Sequence, residues 1–202
     1  DATLHIYYGF SNWLKASQQS GNEPAQRLIA HLIHIAQNTP GVIFHDRISQ
    51  KELAREFMRS GVLTYPTWFS ETSMIGAMEA QAAGCRIVTS NLAALRETVG
   101  DRGRLLEWTR EWDAQNATEP MPEYRADFIE QVVYAMKTPT EHAFATDWKT
   151  RELGITREEL KQYARDHFSL DTLADEWDKM LTELVAEIDE RVVPAFKDWE
   201  AA

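Results

Sequence analysis

The fold is decided by one continuous segment, Gly61-Val-Leu-Thr-Tyr-Pro-Thr-Trp-Phe-Ser-Glu-Thr-Ser-Met-Ile-Gly-Ala-Met-Glu-Ala-Gln-Ala-Ala-Gly-Cys-Arg-Ile-Val-Thr-Ser90. It begins with a β-branched and aromatic run that Pro66 ends, which is typical of a short strand. Residues 72–83 then favour a helix that is apolar on nearly every side, and Gly84 ends it. Residues 85–90 resemble a parallel strand covered on both faces. The segment therefore predicts an α/β unit with a buried helix.

The same alternation continues on both sides of this segment. A helix is predicted from Asn22 to the Thr39-Pro40-Gly41 stop, and a second at 49–58 opens with a capping box formed by Ser49 and Glu52. Residues 10–21 are expected to be a polar connection. Short apolar runs predict further strands at 4–9, 42–45 and 103–107.

The C-terminal part of the chain has a helical pattern. Helices are predicted at 124–136, at 156–168 and from Asp171 onward, the second with a capping box at Thr156 and Glu159. Residues 108–122 are expected to form a loop, and 140–153 a further helix or an irregular turn. The last helix carries an apolar stripe that we expect to be core: Leu173, Trp177, Leu181, Leu184 and Ile188. We thus predict an α/β fold, with a Rossmann-like parallel sheet flanked by helices over residues 1–110 and a helical part over 111–202 packed on the same domain.

Two carboxylates on the central helix indicate a ligand site. Eight helical residues advance about 12 Å, and Glu79 returns to within about 80° of the direction of Glu71. The free N–H groups of Thr72, Ser73 and Met74 would favour an anion such as a phosphate. The Glu79 carboxylate, among apolar neighbours, would accept hydrogen bonds from a sugar diol. The geometry predicts a nucleoside diphosphate, with its ribose on Glu79 and its phosphates over residues 72–74.

A structural explanation of the same two residues stays open. Glu79 would then pair with Arg86 or Arg47, or lie at an exposed helix edge. Glu71 would be an acid favoured in a first helical turn by the helix dipole. Spacing alone slightly favours this explanation over the ligand site.

The residue pattern resembles the signature of retaining glycosyltransferases of family 4. In that family two glutamates separated by seven residues follow a Pro-Ser or Pro-Thr and precede an Ala-Gly turn, as Glu71 and Glu79 do between Pro66-Thr67 and Ala83-Gly84. The resemblance covers residues 2–110 well and 156–185 loosely. It implies the C-terminal, donor-binding half of a GT-B fold.

The resemblance also implies an activity. The enzyme would transfer a hexose from a nucleotide diphosphate sugar to an acceptor hydroxyl with retention, without a metal ion or other cofactor, in polysaccharide biosynthesis. Glu71 would be the catalytic residue that holds the hydroxyls of the donor sugar, and Glu79 would hold the ribose. The backbone at Arg47 and Ile48 would contact the nucleotide base.

The chain departs from the family pattern at several points. Asp46 replaces the usual glycine beside the base, and Ala93-Ala94 replaces a usual Gly-Gly. The upstream phosphate loop and the N-terminal acceptor-binding domain are not in this sequence. We therefore expect weak binding of a donor nucleotide and no transferase activity by the chain alone. A non-catalytic nucleotide-binding or interaction domain with a decayed site is the alternative. A nicotinamide-dependent oxidoreductase half-domain is less compatible, because no Gly-x-Gly-x-x-Gly follows a strand.

Composition narrows the class of partner and the location. The chain has 202 residues, 44% of them hydrophobic, and a net charge of -11, which argues against nucleic acid and anionic membrane surfaces as partners. It contains no apolar run long enough to span a membrane and no signal segment, so we predict a cytoplasmic protein. Cys85 is expected to be core. His31 and His34 have no Glu or Cys partner nearby in sequence, so no metal site is expected.

Overall fold

The computed structural model describes residues 2–107, 122–138, 142, 145–147 and 152–200. Residues 108–121 of the loop predicted at 108–122, and most of the segment at 140–153, lie outside the described residues. The chain divides into two compact units, Asp1–Glu56 and Phe57–Ala202, which are described separately. The predicted division into a core over 1–110 and a helical part over 111–202 stays a prediction.

The first unit contains two parallel strands and the helices that connect them. Strands β1 (Leu4–Ile6) and β2 (Val42–Phe44) pair with Leu4 opposite Val42. Between them lie α1 (Phe10–Gln19) and α2 (Glu23–Asn38). Helix α3 (Gln50–Arg59) follows β2, and its last three residues belong to the second unit. The predicted start of α2 is confirmed, because the side chain of Asn22 accepts a hydrogen bond from the Ala25 N–H at 3.1 Å.

One prediction in this unit is wrong. Residues 10–21 were expected to be a polar connection, yet most of them form α1. Phe10, Trp13 and Leu14 stand at the spacing of one helical face, and Ser17 is buried on the same side. The polar composition of this segment therefore belongs to the outer face of a helix that contacts α2.

The second unit is built on a three-stranded parallel sheet. Its strands are β3 (Val62–Tyr65), β4 (Arg86–Asn91) and β5 (Arg104–Glu107), with β4 in the centre. Residues 86–90 are all buried, as predicted for a strand covered on both faces. The helices between the strands are α4 (Ile75–Ala82), α5 (Leu95–Thr98) and a short 3-10 helix, Gly100–Arg102.

Helices cover both faces of this sheet. On one face, α4 and α5 pack on Ile87 through a buried cluster that includes Ala77, Ala80 and Leu95. On the other face, α6 (Pro122–Lys137) packs on Val88 through Phe128 and Ala135. The arrangement is a Rossmann-like α/β fold, as the sequence predicted.

The remaining elements lie C-terminal to the sheet. They are a two-stranded antiparallel ribbon and two helices: β6 (Ala145–Asp147), β7 (Glu152–Leu153), α7 (Arg157–Phe168) and α8 (Leu170–Glu200). Helix α7 packs against α4. Its predicted capping box is confirmed, with the Thr156 hydroxyl accepting from the Glu159 N–H and the Glu159 carboxylate accepting from the Thr156 N–H.

The apolar stripe of α8 was predicted to be core, and this is wrong. Leu173, Trp177, Leu181, Leu184 and Ile188 are all between 38% and 59% exposed. The periodicity correctly predicts one apolar face on a helix. It carries no information on which surface covers that face.

Candidate functional site

The candidate site lies where two neighbouring parallel strands end. Residues 66–74 follow β3 and residues 92–94 follow β4, so both connections start at the carboxyl edge of the sheet. Ligands of open α/β sheets bind outside this edge, because the connections there are free to vary while the strands hold them in place. Glu71 lies in the first of these two connections.

Glu71 is held by the last residue of β3 and by the connection that follows β4. The Tyr65 hydroxyl, on the last residue of β3, donates a hydrogen bond to Glu71 Oε1 at 2.7 Å. The Glu71 carbonyl accepts a hydrogen bond from the Ala94 N–H, in the connection after β4, at 3.2 Å. The side chain is half-buried. A carboxylate with one oxygen fixed in this way keeps the remaining acceptor positions for other donors. Tyr65 had no role in the sequence-based hypothesis.

The loop before Glu71 is anchored by buried hydroxyl groups. The Thr89 hydroxyl donates to the Tyr65 carbonyl at 2.8 Å, and the Ser90 hydroxyl donates to the Thr67 carbonyl. Thr67 is only 5% exposed, and its own hydroxyl accepts from the Phe69 N–H at 3.0 Å. These hydrogen bonds fix the backbone that leads to Glu71. The sequence signal was the pair of hydroxyl residues at the end of an otherwise apolar strand.

The helix that follows begins later than predicted. The sequence predicted a start at Thr72, but α4 begins at Ile75, with Met74 as its N-cap. Thr72 and Ser73 are exposed in the loop before it. Hydroxyl residues compete for backbone hydrogen bonds in non-helical conformations, so they favour the cap region over the helix interior. The N–H groups of residues 72–74 thus precede the helix, and its first amides are those of Ile75 and Gly76.

The late start also changes the relation between the two glutamates. The estimate of about 12 Å along the axis assumed an unbroken helix from Glu71, and residues 71–74 are not helical. Glu79 is half-buried on α4.

Only one side of this helix is fully buried, at Ala77, Ala80 and Gln81, and Ile75 is 63% exposed. The predicted all-round burial of the helix is therefore wrong.

Arg86, which the structural explanation names as a partner of Glu79, donates hydrogen bonds to two backbone carbonyls. Arg86 is buried on β4, and its guanidinium donates to the His142 carbonyl at 3.0 Å and to the Thr138 carbonyl at 3.1 Å. These hydrogen bonds join the central strand to the end of α6. Arg86 thus has a structural role that the sequence did not predict.

Arg47 and Ile48 belong to the first unit, between β2 and α3. Arg47 is exposed and Ile48 is half-buried. Helix α3 opens with the predicted capping box: the Glu52 carboxylate accepts from the Ser49 N–H at 3.0 Å, and the Ser49 hydroxyl accepts from the Glu52 N–H at 3.3 Å. The hydrogen bonds from Ser49 hold the pKa of Glu52 below its ordinary value.

Two positions where the family resemblance expects glycine have the backbone conformation that glycine favours. Asp46 has φ 55° and Ala93 has φ 47°, and they are the only non-glycine residues with positive φ in the described part of the chain. A side chain in this conformation costs free energy because Cβ approaches the following carbonyl oxygen. Both positions therefore have a backbone conformation that glycine adopts readily, although neither residue is glycine.

Neither the cysteine nor the histidines form a metal centre within the described residues, where no group of three or more potential ligands could hold an ion. His31 and His34 are exposed on α2. His5 Nδ1 and His45 Nε2 lie 3.0 Å apart as a hydrogen-bonded pair. Cys85 is fully buried, donates to the Phe57 carbonyl at 2.9 Å, and has its pKa raised by burial to about 11. Its thiol is part of the core, as predicted.

A parallel sheet covered by helices on both faces, with an anchored carboxylate at its carboxyl edge, has the layout of the Rossmann-like α/β folds. Residues 19–118, just under half of the chain, match the family model of glycosyl transferases group 1. This match supports a group 1 glycosyltransferase domain in that part of the chain. The searches of curated proteins and of solved structures gave no significant match. Among the described residues, no helix is both long and apolar enough to cross a membrane.

Proposed function

We propose that this chain is the donor-binding part of a retaining glycosyltransferase of family 4. The whole enzyme would transfer a hexose from a nucleotide diphosphate sugar to an acceptor hydroxyl in the cytoplasm, in polysaccharide biosynthesis. One observation carries the proposal: the Tyr65 hydroxyl holds Glu71 at the carboxyl edge of a parallel sheet, within a segment that matches group 1 glycosyl transferases. The acceptor pocket would come from a separate N-terminal domain.

Each proposed site residue has a role that its chemistry allows. Glu71, the catalytic residue, would accept hydrogen bonds from hydroxyls of the donor sugar, and Tyr65 would orient it. Glu79 would accept hydrogen bonds from the ribose diol. Arg47 and Ile48 would contact the base.

The leaving diphosphate gains negative charge as the sugar departs. Backbone N–H groups that point at this charge stabilise the transition state without any reorganisation. The N–H groups of Thr72, Ser73 and Met74 would supply such donors from the loop that precedes α4, and the start of the helix at Ile75 favours phosphate beside them. The sequence contains no Asp-x-Asp motif to bind a metal at the diphosphate, which supports a metal-independent reaction.

Calorimetric titration of the 202-residue chain with UDP, GDP and ADP tests nucleotide binding. We expect weak binding of one of the three, and binding about tenfold weaker for Glu79→Gln, because the neutral amide is a poorer acceptor for a diol. Glu130→Gln, at an exposed position of α6, is the matched control and should bind as the parent chain does. If none of the three nucleotides binds, the donor-binding proposal is contradicted for this chain.

A second titration separates the role of Glu71 from that of Glu79. With the nucleotide identified, the parent chain and Tyr65→Phe are compared with the nucleotide alone and with its sugar conjugate. We expect Tyr65→Phe to reduce only the extra affinity that the sugar provides, because Tyr65 acts through Glu71. An equal loss for both ligands would contradict this assignment. Detectable sugar transfer by the chain alone would refute the expectation that it is inactive.

The alternative, a non-catalytic domain with a decayed site, has one specific observation in its favour. Asp46 and Ala93 place side chains where the family resemblance expects glycine beside the donor. Backbone that lacks a Cβ can approach a ligand more closely. Restoration of nucleotide binding by Asp46→Gly together with Ala93→Gly, in a chain that otherwise binds none, would favour this alternative.

A further inference from the structure

Two hydroxyl groups join helix α6 to the loop that carries Glu71. The Tyr124 hydroxyl, in the first turn of α6, lies 2.6 Å from the Ser90 hydroxyl, which in turn contacts the Thr67 carbonyl. Ser90 is fully buried on β4, and Tyr124 is half-buried with its ring stacked on that of Phe128. Thr67 lies four residues before Glu71. We call the hydroxyls of Tyr124 and Ser90 the hydroxyl bridge.

The hydroxyl bridge has one direction of hydrogen bonding. A carbonyl oxygen only accepts, so the single hydrogen of the Ser90 hydroxyl is directed to the Thr67 carbonyl. The hydrogen between the two hydroxyls therefore comes from Tyr124. Burial raises the pKa of Tyr124, although the hydrogen bond with Ser90 acts in the opposite direction, so the phenol keeps its hydrogen at neutral pH. Hydrogen bonds in such a series strengthen one another, so donation by Tyr124 makes Ser90 a better donor to Thr67.

Apolar packing does little to hold the loop beyond the hydroxyl bridge. Trp68 and Phe69, which follow Thr67, are 65% and 60% exposed. Hydrogen bonds continue along the loop instead. The Thr67 hydroxyl accepts from the Phe69 N–H at 3.0 Å, and the Phe69 carbonyl accepts from the Glu71 N–H at 3.0 Å. Consecutive polar contacts thus connect Tyr124 to the backbone of Glu71.

Helix α4, which carries Glu79, has a separate anchor. Its residues Ala77 and Ala80 are buried in the cluster on one face of the sheet, and Tyr124 packs against the cluster on the other face. A change at Tyr124 should therefore reach Glu71 and leave Glu79 in place.

We propose that Tyr124 is a positioning residue of the candidate site. Through Ser90 and Thr67 it fixes the loop that places Glu71, and it thereby governs recognition of the donor sugar but not of the nucleotide. The part of this inference that concerns the sugar rests on the proposed function. The position of the loop does not depend on that function and is measured without a ligand.

Hydrogen exchange of backbone amides, followed by nuclear magnetic resonance, tests the loop in the 202-residue chain. The Ala94 N–H reports on Glu71, whose carbonyl is its acceptor, and the Phe69 N–H reports on Thr67. We expect both to exchange about fivefold faster in Tyr124→Phe, relative to the amides of α4, because one neutral hydrogen bond is lost. Tyr134→Phe, about 15 Å further along the same helix, is the matched control and should leave both rates unchanged.

Calorimetric titration tests recognition of the sugar. The nucleotide that the parent chain binds, among UDP, GDP and ADP, is compared with its glucose, galactose and mannose conjugates. We expect Tyr124→Phe to reduce the extra affinity that the best sugar provides about fivefold and to leave the affinity for the nucleotide unchanged. Ser90→Ala combined with Tyr124→Phe should bind no more weakly than Ser90→Ala alone, because Tyr124 acts through Ser90. Urea unfolding shows whether each variant folds.

The possible results distinguish this inference from the proposed function. Unchanged exchange at Phe69 and Ala94 in Tyr124→Phe, or an equal acceleration of the α4 amides, would overturn the positioning role. Equal losses for the nucleotide and its conjugate, or additive effects of the two substitutions, would also overturn it. Faster exchange at Phe69 and Ala94 in a chain that binds no nucleotide, or no conjugate more tightly than its nucleotide, would contradict the proposed function and support the positioning role.

Discussion

At the scale of single residues, Glu71 is held at the candidate site through both its side chain and its backbone. One carboxylate oxygen accepts from the Tyr65 hydroxyl and the backbone carbonyl accepts from the Ala94 N–H. Neighbouring Ala93 has φ 47°, a conformation that L side chains rarely adopt. Strained backbone persists only where the surrounding structure fixes it. The strain at Ala93 thus lies in the same loop that holds Glu71.

Replacement of Ala93 by glycine should stabilise the protein. Glycine adopts positive φ without the steric cost, and we expect Ala93→Gly to raise the free energy of unfolding by about 1 kcal/mol. Ala82→Gly, in helix α4, is the control and should lower it by a similar amount, about 1 kcal/mol. Urea unfolding measures both. A lower free energy of unfolding for Ala93→Gly would show that the backbone at Ala93 is not strained.

The thiol of Cys85 should be unreactive in the folded protein. Burial raises its pKa from about 9 to about 11. The unfolded chain therefore ionises the thiol at lower pH than the folded chain does, so this group lowers stability as pH rises from about 9 to about 11. We expect the decline in the free energy of unfolding over this range to be smaller in Cys85→Ala. A thiol reagent should label the parent protein at pH 8 only after unfolding, and labelling of the folded protein would contradict the burial.

At the scale of elements, helix ends account for much of the local definition of this fold. Asn22, Ser49 and Thr156 each satisfy an N–H group at the start of a helix. Gly84 ends α4 with φ 75°, and its carbonyl accepts from the Arg157 guanidinium at 2.7 Å. That hydrogen bond connects the end of α4 to the start of α7. A cap can therefore position one helix relative to another.

Loss of the cap at Thr156 should destabilise α7. We expect Thr156→Ala to lower the free energy of unfolding by about 1 kcal/mol near neutral pH. Thr156→Ser should keep most of this cap stabilisation, because serine has the same hydroxyl group. Hydrogen bonds from the backbone and side chain of Thr156 lower the pKa of Glu159. A carboxyl group whose pKa is lowered in the folded state stabilises the protein at pH values above its ordinary pKa, and this stabilisation is lost as pH falls. The effect of Thr156→Ala should therefore shrink in acid. Unfolding curves at several pH values check this, and an effect that grows in acid would contradict it.

At the scale of the whole molecule, the second unit is joined by a buried polar network. The Gln81 amide on α4 donates to the Thr98 carbonyl on α5 at 2.8 Å, and its oxygen accepts from the Arg102 guanidinium at 3.0 Å. The same guanidinium lies 3.8 Å from the centre of the Tyr163 ring on α7. Three regions of the chain, at residues 81, 98–102 and 163, are thus joined through one fully buried amide and the Arg102 guanidinium. A buried polar network stabilises the fold only when each of its polar groups has a hydrogen-bond partner.

Replacement of Gln81 should therefore lower the free energy of unfolding by more than a substitution at the surface usually does. We expect Gln81→Leu to lower the free energy of unfolding by about 2–3 kcal/mol, because it leaves the Thr98 carbonyl and the Arg102 guanidinium with fewer partners. Gln162→Leu, at an exposed position of α7, is the control and should change it by less than about 0.5 kcal/mol. Thermal unfolding of both variants measures the difference, and equal effects would argue against the network.

The local features of this protein could be predicted from its sequence. The strand at 62–65, the buried strand at 86–91, the caps at Asn22, Ser49 and Thr156 and the stop at Gly84 all follow from it. Each depends on neighbouring residues through backbone conformation, a short hydrogen bond or the alternation of apolar positions. The two positions of unusual backbone, Asp46 and Ala93, were also marked by the glycines that the family resemblance expects there.

Only the tertiary structure decided the contacts between distant residues and the surfaces that they leave open. The hydrogen bond between Tyr65 and Glu71 and the network of Gln81 depend on which elements meet. The exposure of Leu173, Trp177 and the other apolar side chains on that face of α8 depends on which elements do not meet. An amphipathic pattern specifies that a face is apolar, because that is a property of one helix. Whether the face is buried in the core or exposed is a property of what packs on it.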